Sequence, residues 1–184
     1  MYRSVAPNIN VNTESGQLRT ELQNTFIRLD GQLQAVPITL YALTGPASNT
    51  GTGETTLFSN IFDTNTLPTN ADSVAFTISG VTAANGNAKQ IRLYYGTTLI
   101  FDSGSQTFNN TSWIMRGEIV RNGATSQICF TELVTSDATY KCGAAQTLTN
   151  KNLANNQTLL LTGQGVTTGD ISAYYIKILL NSHS

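Results

Sequence analysis

Between residues 73 and 79, Val74, Phe76 and Ile78 alternate with Ala75 and Thr77. A two-residue period of this kind puts one set of side chains on each face of a β-strand. The period returns at residues 89–95, with Ile91, Leu93 and Tyr95 on one side and Gln90, Arg92 and Tyr94 on the other. One buried and one wetted face per strand is the pattern of antiparallel sheets. Segments 55–62, 98–102, 112–121, 126–134, 158–162 and 171–180 have the length and residue types of further strands, which makes eight. A short strand at 38–43 fits as well. Asn122–Gly123 falls between two apolar strands as a hairpin signal, Gly96 makes a tight connection after Tyr95, and Gly86 lies in a longer loop between Asn85 and Asn87. Eight antiparallel strands without crossover helices predict a mainly β fold, a jelly-roll-type sandwich over residues 53–184.

Composition agrees with that reading. Only 11% of the 184 residues are charged, against roughly 25% in ordinary soluble domains; Asn, Thr, Ser and Gln take their place. Ten basic and eleven acidic residues, scattered singly, give a net charge of -1. No stripe of positive potential is available for a phosphate backbone, so nucleic acid is not an expected partner. No window approaches the ~18 consecutive apolar residues of a membrane span, and the first ten residues lack the apolar core of a signal peptide. A soluble protein, not exported by that route and without a membrane partner, is the expectation.

Ahead of the sandwich the pattern changes. Residues 1–14 read as an extended arm, because Pro7 and the spaced Asn8, Asn10 and Asn12 oppose helix while Val5, Ile9 and Val11 suit an edge strand. From 15 to 35, Leu18, Leu22, Phe26, Leu29 and Leu33 recur at spacings of four, four, three and four, which predicts one short amphipathic α-helix. Such a helix needs a cover for its ridge. Either the β-domain of the same chain supplies it or a parallel bundle of identical helices does; the narrow, heptad-like stripe favours the bundle. Residues 36–52, with Pro37, Gly45, Pro46, Gly51 and Gly53, cannot continue a helix and read as a linker.

Catalytic chemistry finds little material. The only histidine is His183, next to the last residue, so neither a Ser-His-Asp nor a Cys-His device can be assembled within one chain. Cys129 and Cys142 match no zinc spacing and read as two free thiols in preference to a single bridge. Paired carboxylates remain as a third reading, but Asp63, Asp72, Asp102, Asp137 and Asp170 lie near strand ends, where Asp is ordinarily a turn former. No calcium loop, phosphate-binding glycine motif or other cofactor signature is present, and neither a metal nor a cofactor is expected. Trp113, Tyr94, Tyr95, Tyr174 and Tyr175 could form a stacking platform for sugars. Trp113, in step with Met115 and Ile119, reads better as core, and alternation turns one tyrosine of each pair inwards.

Three segments carry a resemblance. ETTLFSNIFDTNTLPTNADSVAFTISG, AANGNAKQIRLYYGTTLIFDSG and SWIMRGEIVRNGATSQ, together spanning residues 54–127, are similar to the opening strands, Asn-rich loop, Gly hairpin and Trp-led strand of bacteriophage virion structural proteins of the head-fibre, capsid cement (decoration) and tail-fibre-tip type. None is a catalytic signature. The resemblance implies a non-enzymatic homotrimer located on the virion and assembled in the host cytoplasm, with its sandwiches around a threefold axis. Leu18, Leu22, Phe26, Leu29 and Leu33 would lie at the trimer interface. Tyr2, Arg3, Val5, Pro7, Ile9 and Val11 would anchor the arm to the major capsid protein or another virion protein. The alternative is a receptor-binding tail fibre or spike tip that grips host surface glycan through loops and exposed tyrosines.

Overall fold

The computed structural model describes residues 26–29, 32–35, 38–64, 66–137, 141–149 and 151–181. The chain divides into two compact units, Met1–Val36 and Pro37–Ser184. Among the described residues there are strands and no helix.

In the first unit, β1 (Phe26–Leu29) pairs antiparallel with β2 (Gln32–Ala35), Phe26 opposite Ala35 and Leu29 opposite Gln32. This corrects the helix expected over 15–35 for the part that is described. The two residues between the strands, Asp30 and Gly31, are one of the pairs preferred in two-residue hairpins. Spacings of three and four gather Phe26, Leu29 and Leu33 on a helix but not on strands, which repeat every two residues. Leu18 and Leu22 lie outside the described residues, as do Tyr2, Arg3, Val5, Pro7, Ile9 and Val11 of the arm.

The second unit is a sandwich of two antiparallel sheets. Its strands are β3 (Ile38–Ser48), β4 (Glu54–Phe62), β5 (Ser73–Thr82), β6 (Gln90–Tyr95), β7 (Thr98–Asp102), β8 (Ser112–Gly123), β9 (Ser126–Thr135), β10 (Lys141–Thr149), β11 (Gln157–Gln164) and β12 (Ile171–Asn181). One sheet has the order β10-β9-β8-β5-β12-β3 and the other β4-β11-β6-β7. The chain passes back and forth between the sheets, except in the β6–β7 hairpin and the β8–β9–β10 meander.

All eight strands expected from alternation and turn signals are present. Of the two further strands, β3 includes the short strand suggested at 38–43, and β10 was not expected. The short strand suggested at 38–43 runs on as β3 through much of the segment 36–52 read as a linker, and it pairs with β12 over its length. Its ladder skips Gly45 and Pro46, between Ala47 opposite Ala173 and Thr44 opposite Tyr175. Pro46, with no N–H to give, is accommodated there because β3 is an edge strand. β10 occupies the other edge of the same sheet.

The core is the alternating set that the sequence marks. Phe76, Ile78, Met115, Ile119 and Leu133 of one sheet meet Ile91, Leu93, Leu159 and Leu161 of the other, all 2% exposed or less. Burying each is worth about 1.5–3 kcal/mol. Tyr41 and Phe58 join the sheets at the β3–β4 side, ring centroids 5.0 Å apart. Trp113 is buried as expected.

Two details of register depart from the sequence reading. The hairpin turn is Ala124–Thr125, closed by Gly123 opposite Ser126, and Asn122 lies at a register shift inside β8. In β12, Ala173 faces Gly80 and Tyr175 faces Ser79, so Tyr174 is the extra residue of a bulge. Buried positions therefore change from Ile171 and Ala173 to Ile176, Ile178 and Leu180, and both Tyr174 and Tyr175 are exposed. Tyr94 and Tyr95 do alternate as expected, with Tyr95 buried.

Candidate functional site

Three polar or exposed features stand outside the core. The first ties the loops at one end of the sandwich. Asp170, fully buried, accepts hydrogen bonds from the Val166 and Thr167 amides at 2.8 Å each, from the Thr167 hydroxyl at 2.9 Å, and from the Asn85 and Asn87 amides at 2.8 and 3.2 Å. Burial alone would push this carboxyl up, but the donors outweigh it and hold the group well below the usual carboxylate range. Lys89, also buried, gives its ammonium to the Asn85 carbonyl, the Asn85 side chain and the Asn87 carbonyl at 3.1, 2.8 and 3.1 Å. Burial pushes that ammonium down, and the Asp170 charge opposes the push. Asn49 completes the clasp: its side chain accepts from the Ile171 amide and donates to the Gly51 and Thr167 carbonyls. These are satisfied groups that fix loops, not groups waiting for a ligand.

The second lies on the outer face of the four-stranded sheet. Arg92 stands between two carboxylates, Glu54 at 2.9 Å and Asp102 at 3.3 Å. The Tyr94 hydroxyl donates to Glu54 at 2.8 Å, and Gln90 donates to Asp102 at 2.6 Å. For Asp102 burial would raise the pKa, yet Gln90, the Gly104 amide and Arg92 together lower it. A carboxylate kept ionised beside a guanidinium is poorly suited to act as a general acid near neutral pH. The remaining acids singled out by the sequence also sit in turns. Asp72 accepts from the Thr69 amide and hydroxyl, Asp137 from the Thr111 hydroxyl, and the Asp63 carbonyl closes a turn with Thr66. Among the described residues no cluster of three potential metal ligands occurs.

Cys129 is a buried free thiol. It lies opposite Gln146, whereas Cys142 lies opposite Leu133. Four residues of strand separate the two positions, about 13 Å, beyond the roughly 7 Å limit between Cα atoms for a disulfide.

The third feature is the outer face of the six-stranded sheet, where an antiparallel sandwich ordinarily shows polar residues. Register places its residues in rows across the strands. Val134, Ile114, Ser79 and Tyr175 form one row; Glu132, Arg116, Thr77 and Lys177 the next; Phe130, Glu118, Ala75 and Leu179 the third. Phe130 is 48% exposed, Tyr174 45%, Val81 38% and Tyr175 37%. Two open depressions lie on this face. One of about 570 Å³ is bordered by Ala75, Arg116, Phe130 and Glu132, and one of about 460 Å³ by Val81, Ile114, Val134 and Tyr174. Surface-exposed apolar groups gathered in this way mark an interaction surface more often than a catalytic one. The sequence carried a faint sign of it in the outward-facing Ile114, Ile128, Phe130 and Val134, which the core-facing alternation left without a role.

No family model and no curated protein matches the chain. Among solved structures it is similar to VP2 of infectious bursal disease virus. Against VP2 in the subviral particle the identity is 18% over 85% of this chain and 45% of that one, with a TM-score of 0.32. Against VP2 in virus-derived T=1 particles the identity is 17% over 84% and 43%, with the same TM-score. The chain spans less than half the length of these VP2 chains.

Proposed function

We propose that the chain is a non-enzymatic structural protein of a bacteriophage virion, a homotrimeric capsid decoration (cement) or head-fibre protein held to the particle by its N-terminal arm, residues 1–14. The observation that carries this reading is the outer face of the six-stranded sheet, whose apolar side chains have no cover in the sandwich unit. The aspartates singled out by the sequence sit in turns or beside Arg92, and a whole sheet face is left suited to contact with other subunits. Strand order supports the jelly-roll expectation: β3-β12-β5-β8 against β4-β11-β6-β7 pairs the strands as two interleaved Greek keys do, with β9 and β10 added at the β8 edge. Low charge suits many identical copies at close quarters, because neighbours do not repel.

The test removes residues 1–14 and incubates the shortened chain with undecorated particles. Loss of density on the capsid supports the anchoring role; full occupancy by the shortened chain ends it. A second reading, a receptor-binding tail fibre or spike tip, draws on Tyr174 and Tyr175, which the bulge exposes side by side. Glycan-array binding that disappears on Tyr174→Ala would favour it over decoration.

A further inference from the structure

The row that crosses the middle of the exposed sheet face carries three charges: Glu132 faces Arg116 across the β8–β9 ladder, while Lys177 stands between Thr77 and Ala42 with no acid beside it in the row. Glu132 on β9, Arg116 on β8, Thr77 on β5 and Lys177 on β12 lie opposite one another in register. Glu132 and Lys177 are three strands apart, about 14 Å, too far to pair. The two ion pairs among the described residues belong to Arg92 and involve none of these side chains. The strand order sets three strands on each side of the β8–β5 boundary, so Glu132 and Lys177 stand at equal distances from the midline of the sheet, on opposite sides.

We propose that this face packs on the same face of a second copy of the chain, about a twofold axis that runs along the strands between β8 and β5. Under that operation β9 of one copy falls over β12 of the other. Glu132 meets the second copy's Lys177 in both directions, which gives Lys177 the acid that its own row does not place beside it. The flanking rows agree with the same axis. Phe130 falls over Leu179 and Val134 over Tyr175, apolar on apolar, above and below the charged row. A twofold contact requires a surface complementary to itself, and these three pairings meet that requirement. A twofold along the strands also keeps the two sheets near the aligned packing that stacked sheets adopt. Six strands and ten residues give a face of about 24 by 34 Å, roughly 800 Å² per copy, the size of a standard stable interface.

This contact occupies the same sheet face that the proposed function draws on, but the threefold arrangement expected from residues 15–35 does not depend on it, so the two can hold or fail separately. The test measures the mass of the full chain in solution for the wild type, Glu132→Lys, Lys177→Glu and the double exchange. The wild type is expected at an even multiple of the chain mass. Each single exchange sets like charges face to face and should weaken association roughly tenfold or more, halving the mass at a suitable concentration. The double exchange should restore the wild-type mass. A wild type that is monomeric or odd-numbered, single exchanges that change nothing, or a double exchange that fails to rescue would each overturn the proposal. A wild-type trimer indifferent to the exchanges would remove this contact and leave the virion reading standing.

Discussion

Gly80 lies directly opposite Trp113 in the β5–β8 ladder, and the indole occupies the space a side chain at position 80 would need. A Cβ there would collide with both the Trp113 ring and the Ser172 carbonyl oxygen. The obstacle on one side is backbone, which cannot step aside as a flexible side chain can. Gly80→Ala is therefore expected to cost about 3 kcal/mol, the upper end for overpacking. Urea denaturation followed by Trp113 fluorescence measures it, and an unchanged midpoint would contradict the packing described.

Asp170 gives the fold an acid-sensitive clasp. In the folded chain its carboxyl titrates below its ordinary value of ~3.9. Its contribution to stability is complete above that ordinary value and is lost as pH falls through the lower, folded-state value. Asp170→Asn keeps the shape but replaces charged acceptors with a neutral amide, so a loss of about 2 kcal/mol is expected near neutral pH. Below pH ~4 the gap between wild type and variant should begin to narrow, because the unfolded wild-type chain takes up a proton at this carboxyl while the folded chain does not. Thermal midpoints from pH 3 to 7 test both statements; a gap that stays constant with pH would refute the second.

Burial raises the Cys129 pKa, and the Thr131 hydroxyl at 3.4 Å counters this only in part. The thiol stays protonated at neutral pH and is shielded as well, so a thiolate-specific reagent should leave it untouched in the native chain. In a Cys142→Ser background, Ellman's reagent is expected to titrate Cys129 only after denaturant is added. Prompt reaction without denaturant would show that the β9 interior opens readily.

The bulge in β12 predicts an asymmetry between two single-residue deletions. Removing Tyr174 leaves Ile171, Ala173, Ile176, Ile178 and Leu180 on one face, because the extra residue is the one taken away. Removing Lys177 turns Ile178 and Leu180 outwards, as any one-residue slip in a strand does. Deletion of Tyr174 should cost no more than about 1 kcal/mol, whereas deletion of Lys177 should prevent folding. Circular dichroism and denaturant midpoints of the two purified chains decide the matter.

Much of the sandwich was legible because an inner face writes itself into the sequence as alternation. Val74, Phe76 and Ile78, or Ile91 and Leu93, cannot be placed otherwise without exposing them. Edge strands obey a weaker rule. The β10 sequence KCGAAQTLT shows no apolar alternation and did not announce itself, and β3 showed only its first half, 38–43, because Gly45 and Pro46 read as a break. The hairpin of β1 and β2 was masked by an accident of spacing: Phe26, Leu29 and Leu33 fit a helical period, under which Asp30 and Gly31 do not read as a turn. At the candidate site, the Asp170 clasp was hidden because Asn49, Asn85, Asn87 and Asp170 are each unremarkable turn residues, and only folding brings them to one end. The exposed sheet face was harder still, since an outward Phe130 or Val134 looks like any strand residue until its neighbours are known.

Pro46 has a consequence for how this protein can grow. At one margin of the wide sheet the ladder is broken by Gly45 and Pro46, so a foreign strand zipping along β3 would meet a gap in the row of donors. The opposite margin, β10, has no such interruption between Lys141 and Thr149. In this sheet lateral extension is thereby confined to one side, and two chains joined edge to edge through β10 would have used up the better margin of their six-stranded sheets, so that sheet would close as a pair instead of growing on.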